Sequence, residues 1–207
     1  MALLHRATLS PTKLETIAAW LPTQRWASSA AGEVELVGAF RFDDPQGLVG
    51  IECHLVSSGG TLLHVPVTYR DAPLADAEEH LLGTMEHSVL GERWVYDGLH
   101  DAVYVTMLAA VAMTGTGQAV SVVAIDGRTA VLPSLVKLVG GGWEDRFALI
   151  DEFVVESDDD AWSILRNDRF ELRVARRPIA GEQPSIGLTA QLPGHDDRVI
   201  LAEVRPQ

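Results

Sequence analysis

The turn signals in this chain fall too close together for helical crossovers between neighbouring strands. Strand-like runs at 34–42, 48–56 and 61–69 are separated by Asp43-Asp44-Pro45-Gln46-Gly47 and by Ser57-Ser58-Gly59-Gly60. A parallel pair needs a connection of roughly a dozen residues or more, so these runs are predicted to pair antiparallel. Val49, Ile51, Cys53 and Leu55 share one face of the second run, and Leu63, Val65, Val67 and Tyr69 are in phase in the third. Pro66 has no N–H to donate, which predicts an edge strand or a bulge there.

A helix precedes these strands. Ser10 can cap it, Pro11 suits its first position, and Thr12 with Glu15 has capping-box spacing. Leu14, Ile17, Ala18 and Leu21 repeat at helical spacing, and Pro22 stops the run. Such a helix can lie across the concave face of a curved sheet. A short helix is predicted at 75–82 and an extended segment at 89–96, broken by Gly91. A second helix is predicted at 101–113, capped by Asp101, with Val105, Leu108, Ala109 and Ala112 on one face. Thr114-Gly115-Thr116-Gly117 ends it and marks the boundary between two parts, 1–113 and 114–207.

The second part reads as antiparallel β. Hairpins are predicted at 119–138 around Asp126-Gly127, at 162–176 around Asn167-Asp168, and at 186–204 around Pro193-Gly194-His195, with a further strand at 147–155. Their regular spacing predicts a meander. The fold class is therefore α+β: a helix on a curved antiparallel sheet, then a second antiparallel β-rich subdomain.

The 207 residues carry a formal net charge of −13. That charge repels phosphate backbones and anionic lipid, so neither a nucleic-acid nor a membrane partner is expected. No stretch approaches the ~20 apolar residues of a membrane span and the N-terminus has no signal-like run, so a cytoplasmic location is expected. One thiol, Cys53, makes neither an internal disulfide nor a thiolate zinc site, and reads as a buried small hydrophobe. Only Lys13 and Lys137 are lysines, a bias towards arginine that suggests a GC-rich, actinobacterial genome.

Glu78, Glu79, His80, Glu86 and His87 form the densest ligand-type cluster, but Gly83 interrupts it and no His-Glu-x-x-His pattern exists. A polar surface segment is expected, with no metal and no cofactor. His54 and His64 could face each other across neighbouring strands. Gly140-Gly141-Gly142 follows a strand without a helix start after it, a weak phosphate signal. Asp158-Asp159-Asp160 reads as a solvated loop, and Trp143 and Trp162 as core or loop anchors before any sugar platform.

Ala19-Trp20-Leu21-Pro22-Thr23-Gln24-Arg25-Trp26 resembles the opening segment of maltokinases, and Trp94-Val95-Tyr96-Asp97-Gly98-Leu99-His100-Asp101 resembles the stretch that ends their N-terminal cap. Val65-Pro66-Val67-Thr68-Tyr69-Arg70 is similar to a cap strand carrying Val-Pro. The resemblance covers roughly 10–113 and weakens beyond it. It implies a cystatin-like cap, then an intermediate β-rich subdomain, in the setting of trehalose and α-glucan metabolism. It implies binding residues at Arg25, Trp26, Tyr96, Asp97, His100 and Asp101, although each could instead be structural, and an ion pair between Arg25 and Asp97 is one such structural reading.

The departures from the family pattern are as telling. Ala27-Ser28-Ser29-Ala30 stands where a basic loop is usual. Arg173 stands where the resemblance would put a phosphate-contacting lysine, after a loop with three acids. The sequence given ends at Gln207, before any lobe with a catalytic base and metal ligands, so no catalytic residue is expected. The expectation is a non-catalytic binding or regulatory protein whose partner is a trehalose/α-glucan pathway enzyme or an α-glucan. The rival readings are a small enzyme with its site in the β-rich half, at His54, His64 or His100, and a scaffold that self-associates through a sheet edge as a homo-oligomer.

Overall fold

In the computed structural model the described residues are 2–4, 7–30, 32–125, 128–142, 152–158 and 161–207. Strands β1 (Ala2–Leu4) and β2 (Leu9–Ser10) precede helix α1 (Lys13–Trp20). The cap of α1 is Thr12, two residues later than Ser10. Its hydroxyl accepts from the Glu15 N–H at 3.3 Å and the Glu15 carboxylate accepts from the Thr12 N–H at 2.7 Å. Ser10 is instead paired in β2, opposite Glu86. After α1 the chain makes two 3₁₀ turns, Leu21–Thr23 and Arg25–Ala27, which carry Pro22 and fold Trp26 back under the helix.

Strands β3 (Val34–Phe42), β4 (Gly50–Ser58), β5 (Thr61–Arg70), β6 (Leu81–His87) and β7 (Gly91–Asp97) join β2 in a six-stranded antiparallel sheet of order β2-β6-β7-β5-β4-β3. β5 is interior, so Pro66 lies in neither an edge strand nor a bulge. It faces Cys53 of β4, and the β7 ladder begins only one residue later, at Val67 opposite Asp97. The His64 N–H, two residues earlier and on the same side of the strand as the missing Pro66 donor, goes to the Arg176 carbonyl at 2.9 Å. Proline thus falls in the gap where β7 has left β5 and another segment has taken over.

The predicted helix at 75–82 is a single 3₁₀ turn, Glu78–His80, leading into β6. Gly83, at φ +153°, sits at a register shift between Leu81 and Gly83 opposite β7. A tight hairpin to β7 satisfies this backbone by ladder bonds that a lone helical turn would not supply.

The sheet is buried on both faces. On one, Ile17, Trp20, Leu21 and Trp26 cover Val56, Leu63, Val65, Val67, Met85 and Val95. On the other, Phe40, Phe42, Ile51, Cys53 and Leu55 meet helix α2 (Ala102–Thr114). α2 starts at Asp101, which accepts from the Val103 N–H at 3.0 Å, and ends at Gly115 with φ +67°. Tyr104, Leu108, Ala109, Val111 and Ala112 are all buried because α2 has a second sheet on its far side. A helix that is apolar all round is a buried helix.

That second sheet contains β10 (Lys137–Gly140), β11 (Val154–Ser157), β12 (Trp162–Arg166), β13 (Phe170–Ala175), β14 (Gly187–Gln191) and β15 (Arg198–Pro206). Its order is β10-β14-β15-β13-β12-β11, antiparallel throughout. It is not the simple meander expected, because β15 inserts between β13 and β14. Between α2 and β10, strands β8 (Ser121–Ile125) and β9 (Arg128–Val131) form the expected hairpin in shortened form, because its second arm ends at Val131 and Lys137 and Leu138 pair in the second sheet as part of β10; β1 adds to β8 as a parallel strand. The parallel pair joins the start of the chain to a strand that follows α2, a long-range pairing that turn spacing does not report. The turn at 126–127, Trp143, most of the strand predicted at 147–155, and Asp159 and Asp160 lie outside the described residues.

The α+β architecture thus stands as read from the sequence. One apolar core runs from the first sheet through α2 into Leu165, Leu172, Val174, Leu188 and Leu201 of the second. Gly140-Gly141-Gly142 belongs to this packing, not to phosphate binding. A Cβ on Gly142 would lie 2.0 Å from the Met113 carbonyl, and the Gly142 N–H donates to the Ala112 carbonyl at 3.0 Å. No helix among the described residues is long and apolar enough to cross a membrane.

Candidate functional site

The densest polar constellation forms where the end of β7 meets the end of β13. Arg176 follows β13 and is fully buried. Its Nη1 and Nη2 donate to Asp97 Oδ1 and Oδ2 at 3.1 and 2.5 Å. Its Nε donates to Asp158 Oδ1 and Ser163 Oγ, both at 2.9 Å, and Nη2 also reaches Asp158 Oδ2 at 2.7 Å. The guanidinium carbon lies 4.7 Å from the Trp26 ring centroid, so an aromatic face closes the site. Burial alone would lower the pKa of Arg176, but the Asp97 and Asp158 charges more than offset it and hold the group protonated. Asp158 is likewise held well below the usual carboxylate range. Burial opposes ionisation there, but hydrogen bonding from His100 and the charge of Arg176 outweigh it. Its partners make it an anchor and not the solvated loop residue expected.

His100 extends the site outward. Its Nε2 is 3.7 Å from Asp158 Oδ2, and its ring stacks on His80 with centroids 3.3 Å apart. Burial, then the neighbouring His100, lowers the pKa of His80. Asp97, His100 and Asp158 bring ligand-type atoms within 4.8 Å of one another. Both carboxylates already share the Arg176 guanidinium, which takes the place a cation would fill between them.

The residues singled out in the sequence divide in two. Trp26 and Asp97 meet at Arg176, with His100 one contact further out. Tyr96 and Asp101 are buried nearby but serve the backbone. The Tyr96 hydroxyl accepts from the Leu74 N–H at 3.0 Å, and Asp101 accepts two bonds from Arg70 at 2.7 and 2.8 Å while capping α2. Arg25 is exposed, and the arginine paired with Asp97 is Arg176. Sequence reasoning missed Arg176, Ser163 and Arg70. Arg176 lies 79 positions from Asp97 in an Arg-Arg pair that no local motif distinguishes.

The histidine pair proposed across neighbouring strands is not a pair. In register His54 faces Val65 and His64 faces Leu55, so the two rings point to opposite faces of the sheet. His54 lies beside a buried carboxylate, Glu52, which Lys13 and Arg41 also contact. His64 points the other way and places Nδ1 3.1 Å from the Ala175 carbonyl. Arg173, where the resemblance put a phosphate ligand, is ion-paired with Glu203 at 3.3 Å and Glu171 at 4.0 Å, and lies over the Trp162 ring.

No curated protein matches this chain. Residues 20–101 match the family model of the maltokinase N-terminal cap domain. That span begins at Trp20 and ends at Asp101, and so contains, Ala19 aside, the three segments that carried the resemblance and five of the six strands of the first sheet, β3 to β7. Over residues 20–101 the chain is therefore similar to a maltokinase N-terminal cap domain.

Proposed function

We propose that this chain is a non-catalytic binding or regulatory protein of trehalose, maltose and α-glucan metabolism, acting in the cytoplasm on a pathway enzyme or an α-glucan. The observation that carries the reading is the Asp97–Arg176–Asp158 lock. Asp97 belongs to a segment that resembles the kinase cap, and both of its carboxylate oxygens accept from Arg176 of the β-rich half. Arg173 supports the same view. Two carboxylates hold it against its own sheet, and an arginine in that place does not reproduce the point charge of a phosphate-binding lysine. The match of residues 20–101 to the maltokinase cap supports the metabolic part of the reading.

Calorimetric titration of the purified chain with Mg-ATP tests the reading, together with an assay for maltose phosphorylation. The expected result is no saturable heat up to millimolar nucleotide and no maltose 1-phosphate. Affinity capture from the native cell is expected to return an enzyme of the pathway. Micromolar ATP binding or product formation would replace the reading with a nucleotide-using one.

A further inference from the structure

A groove of about 450 Å³ opens between the end of β3, the middle of α2 and the extended segment 116–120. Phe42 and Val111 are buried beneath it, Met107 is half-buried, and Val120 stands exposed on its rim. Apart from Phe42 and Asp43, its lining lies beyond the matched residues 20–101. The polar groups of the 116–120 wall are engaged elsewhere. The Ala119 N–H donates to the Arg41 carbonyl at 2.8 Å. The Gln118 amide donates to Ser134 Oγ and the Val136 carbonyl, at 2.6 and 2.5 Å, and accepts from the Leu138 N–H at 2.8 Å. What this wall and the floor offer is therefore apolar surface.

Exposed apolar side chains gather beside it. Val120, Val131, Leu132 and Leu135 are 52%, 66%, 39% and 71% exposed. Val131 pairs with Val122, two residues on from Val120, and the Leu132 N–H donates to the Ser121 carbonyl at 2.9 Å. Leu135 is not exposed through slack in its loop. On one side Gln118 holds Ser134, and on the other Val136 is fully buried, so close to β3 that a Cβ on Gly38 would lie 2.5 Å from its Cγ2. The loop is pinned with a large apolar side chain in water. Single exposed apolar residues need no explanation, but a cluster of them beside an apolar groove marks an interaction surface.

Charge says which partner this surface suits. Residues 114–125 and 129–136 contain no charged side chain, in a chain of which 22% is charged and whose net charge is −13. α2 lacks charge because it is buried, whereas Thr116, Val120, Val131 and Leu135 face water. Two copies of so acidic a chain repel one another, and least where charges are missing. The protruding leucine and the groove also share one face: Leu135 follows Ser134, which is bonded to Gln118, and Gln118 lines the groove. A two-fold axis can therefore bring each Leu135 to the other copy's groove in a contact that closes on itself. On separate faces the same two features would propagate into a filament.

We propose that two copies of this chain pair through this face, each seating Leu135 in the other's Phe42–Met107–Val111 groove with Val120 and Val131 packed around it. The self-association weighed from the sequence was through a sheet edge, whereas this contact is made by side chains. It uses none of the residues of the Arg176 lock and does not rest on the metabolic reading above.

Sedimentation velocity of the full chain from about 1 to about 200 µM tests it, with a reversible monomer–dimer equilibrium as the expected result. Raising NaCl from about 20 to about 300 mM is expected to tighten the dimer, because salt screens the repulsion between acidic copies. Leu135→Gln and Val120→Gln change exposed positions, so the melting temperature of the monomer should hold. Each acts twice across the two-fold and is expected to weaken the dimer at least about tenfold. Val154→Gln is the control, at a comparably exposed valine on β11, the far edge of the second sheet, and should leave the dimer as it is. A chain still monomeric at the top concentration, wild-type association in Leu135→Gln, equal weakening by Val154→Gln, or a dimer loosened by salt would each overturn the proposal. So would a monomer that binds an apolar fluorescent dye and loses it in Leu135→Gln, which would assign the surface to a different protein.

Discussion

Arg176 grips Asp97 with both terminal nitrogens, Nη1 on Oδ1 at 3.1 Å and Nη2 on Oδ2 at 2.5 Å, across 79 residues of sequence. Asp97 ends the strand β7 that completes the first sheet, and Arg176 follows β13 of the second. One fork thus ties the two sheets at a point where Trp26 covers it from the α1 side. Because Asp158 and Ser163 take the remaining Nε–H, the buried charge is satisfied on three sides. Asp97 also caps the short turn that follows it through the Leu99 N–H at 3.3 Å, so the lock fixes the approach to α2 as well.

Removing the cation should therefore be severe. Arg176→Met leaves Asp97 and Asp158 buried beside one another without their partner and is expected to cost about 3–5 kcal/mol in urea denaturation. Asp97→Asn with Arg176→Met should cost clearly less than the sum of the two single changes. Additive losses in that cycle would mean that the two side chains do not act as a pair.

Trp26 is 1% exposed, packs edge-on against Trp20 with centroids 5.7 Å apart, and carries the guanidinium on its other side. Trp26→Ala is expected to destabilise by about 3–5 kcal/mol, from lost burial and the cavity left behind. Arg25→Ala next to it, at an exposed position, should change stability by about 0.5 kcal/mol or less. A melting curve unchanged by Trp26→Ala would make this tryptophan a binding surface and not a core residue.

The local features were legible because short-range physics sets them. The Thr12–Glu15 capping box, the Asp101 cap and the hairpin at Asn167 each follow from residues within a few positions. In-phase runs at Ile51, Cys53 and Leu55 showed one buried face of β4. They could not show that Val56 is buried on the other, since that depends on α1 returning across the sheet. Pro66 misled because its penalty depends on whether a neighbouring strand requires its N–H, and at that position β7 has already departed. His80, His100 and Asp158 lie far apart in sequence and meet only through the order of strands. Trp26, Asp97 and His100 were legible one by one through the resemblance, but lone ionisable residues do not announce such meetings, and Arg176 as their common partner was for that reason not legible.

Cys53 is fully buried beside Tyr104, and burial pushes its thiol well above the ordinary range. The native protein is expected to be inert to a thiol reagent at pH 8, whereas one thiol per chain should react in denaturant. Rapid labelling of the folded chain would place Cys53 at a surface instead.

The last prediction concerns acid. Burial, opposed by the Glu52 charge but reinforced by Lys13 and Arg41, lowers His54 to about 4. Burial lowers His64 to about 3, with the Ala175 carbonyl opposing and the Arg176 and His54 charges assisting. Both are neutral in the fold at pH 7 and regain a pKa near 6.5 on unfolding. Below that pH the unfolded chain takes up protons that the native one refuses, so stability falls as pH drops from about 6.5 towards 4 and 3. At pH 5 each histidine should account for about 2 kcal/mol of lost stability relative to pH 7, by the linkage of roughly 1.4 kcal/mol per pH interval. Glu52 acts in a lower window. Burial raises it, but the His54, Lys13 and Arg41 charges prevail and bring it to about 2, so its contribution is present above about 4.5 and is lost on the way down to 2. With His54 neutral at pH 7, Lys13 and Arg41 are the cations that hold it there. Urea stability of the wild type should therefore decline between pH 6.5 and 5, before any carboxylate titrates. The double variant His54→Gln, His64→Asn, less stable at pH 7 but carrying no ionisable ring at either position, should lose most of that slope while keeping the decline below pH 4.5. Equal slopes in the two proteins between pH 6.5 and 5 would show that other groups set the acid limit.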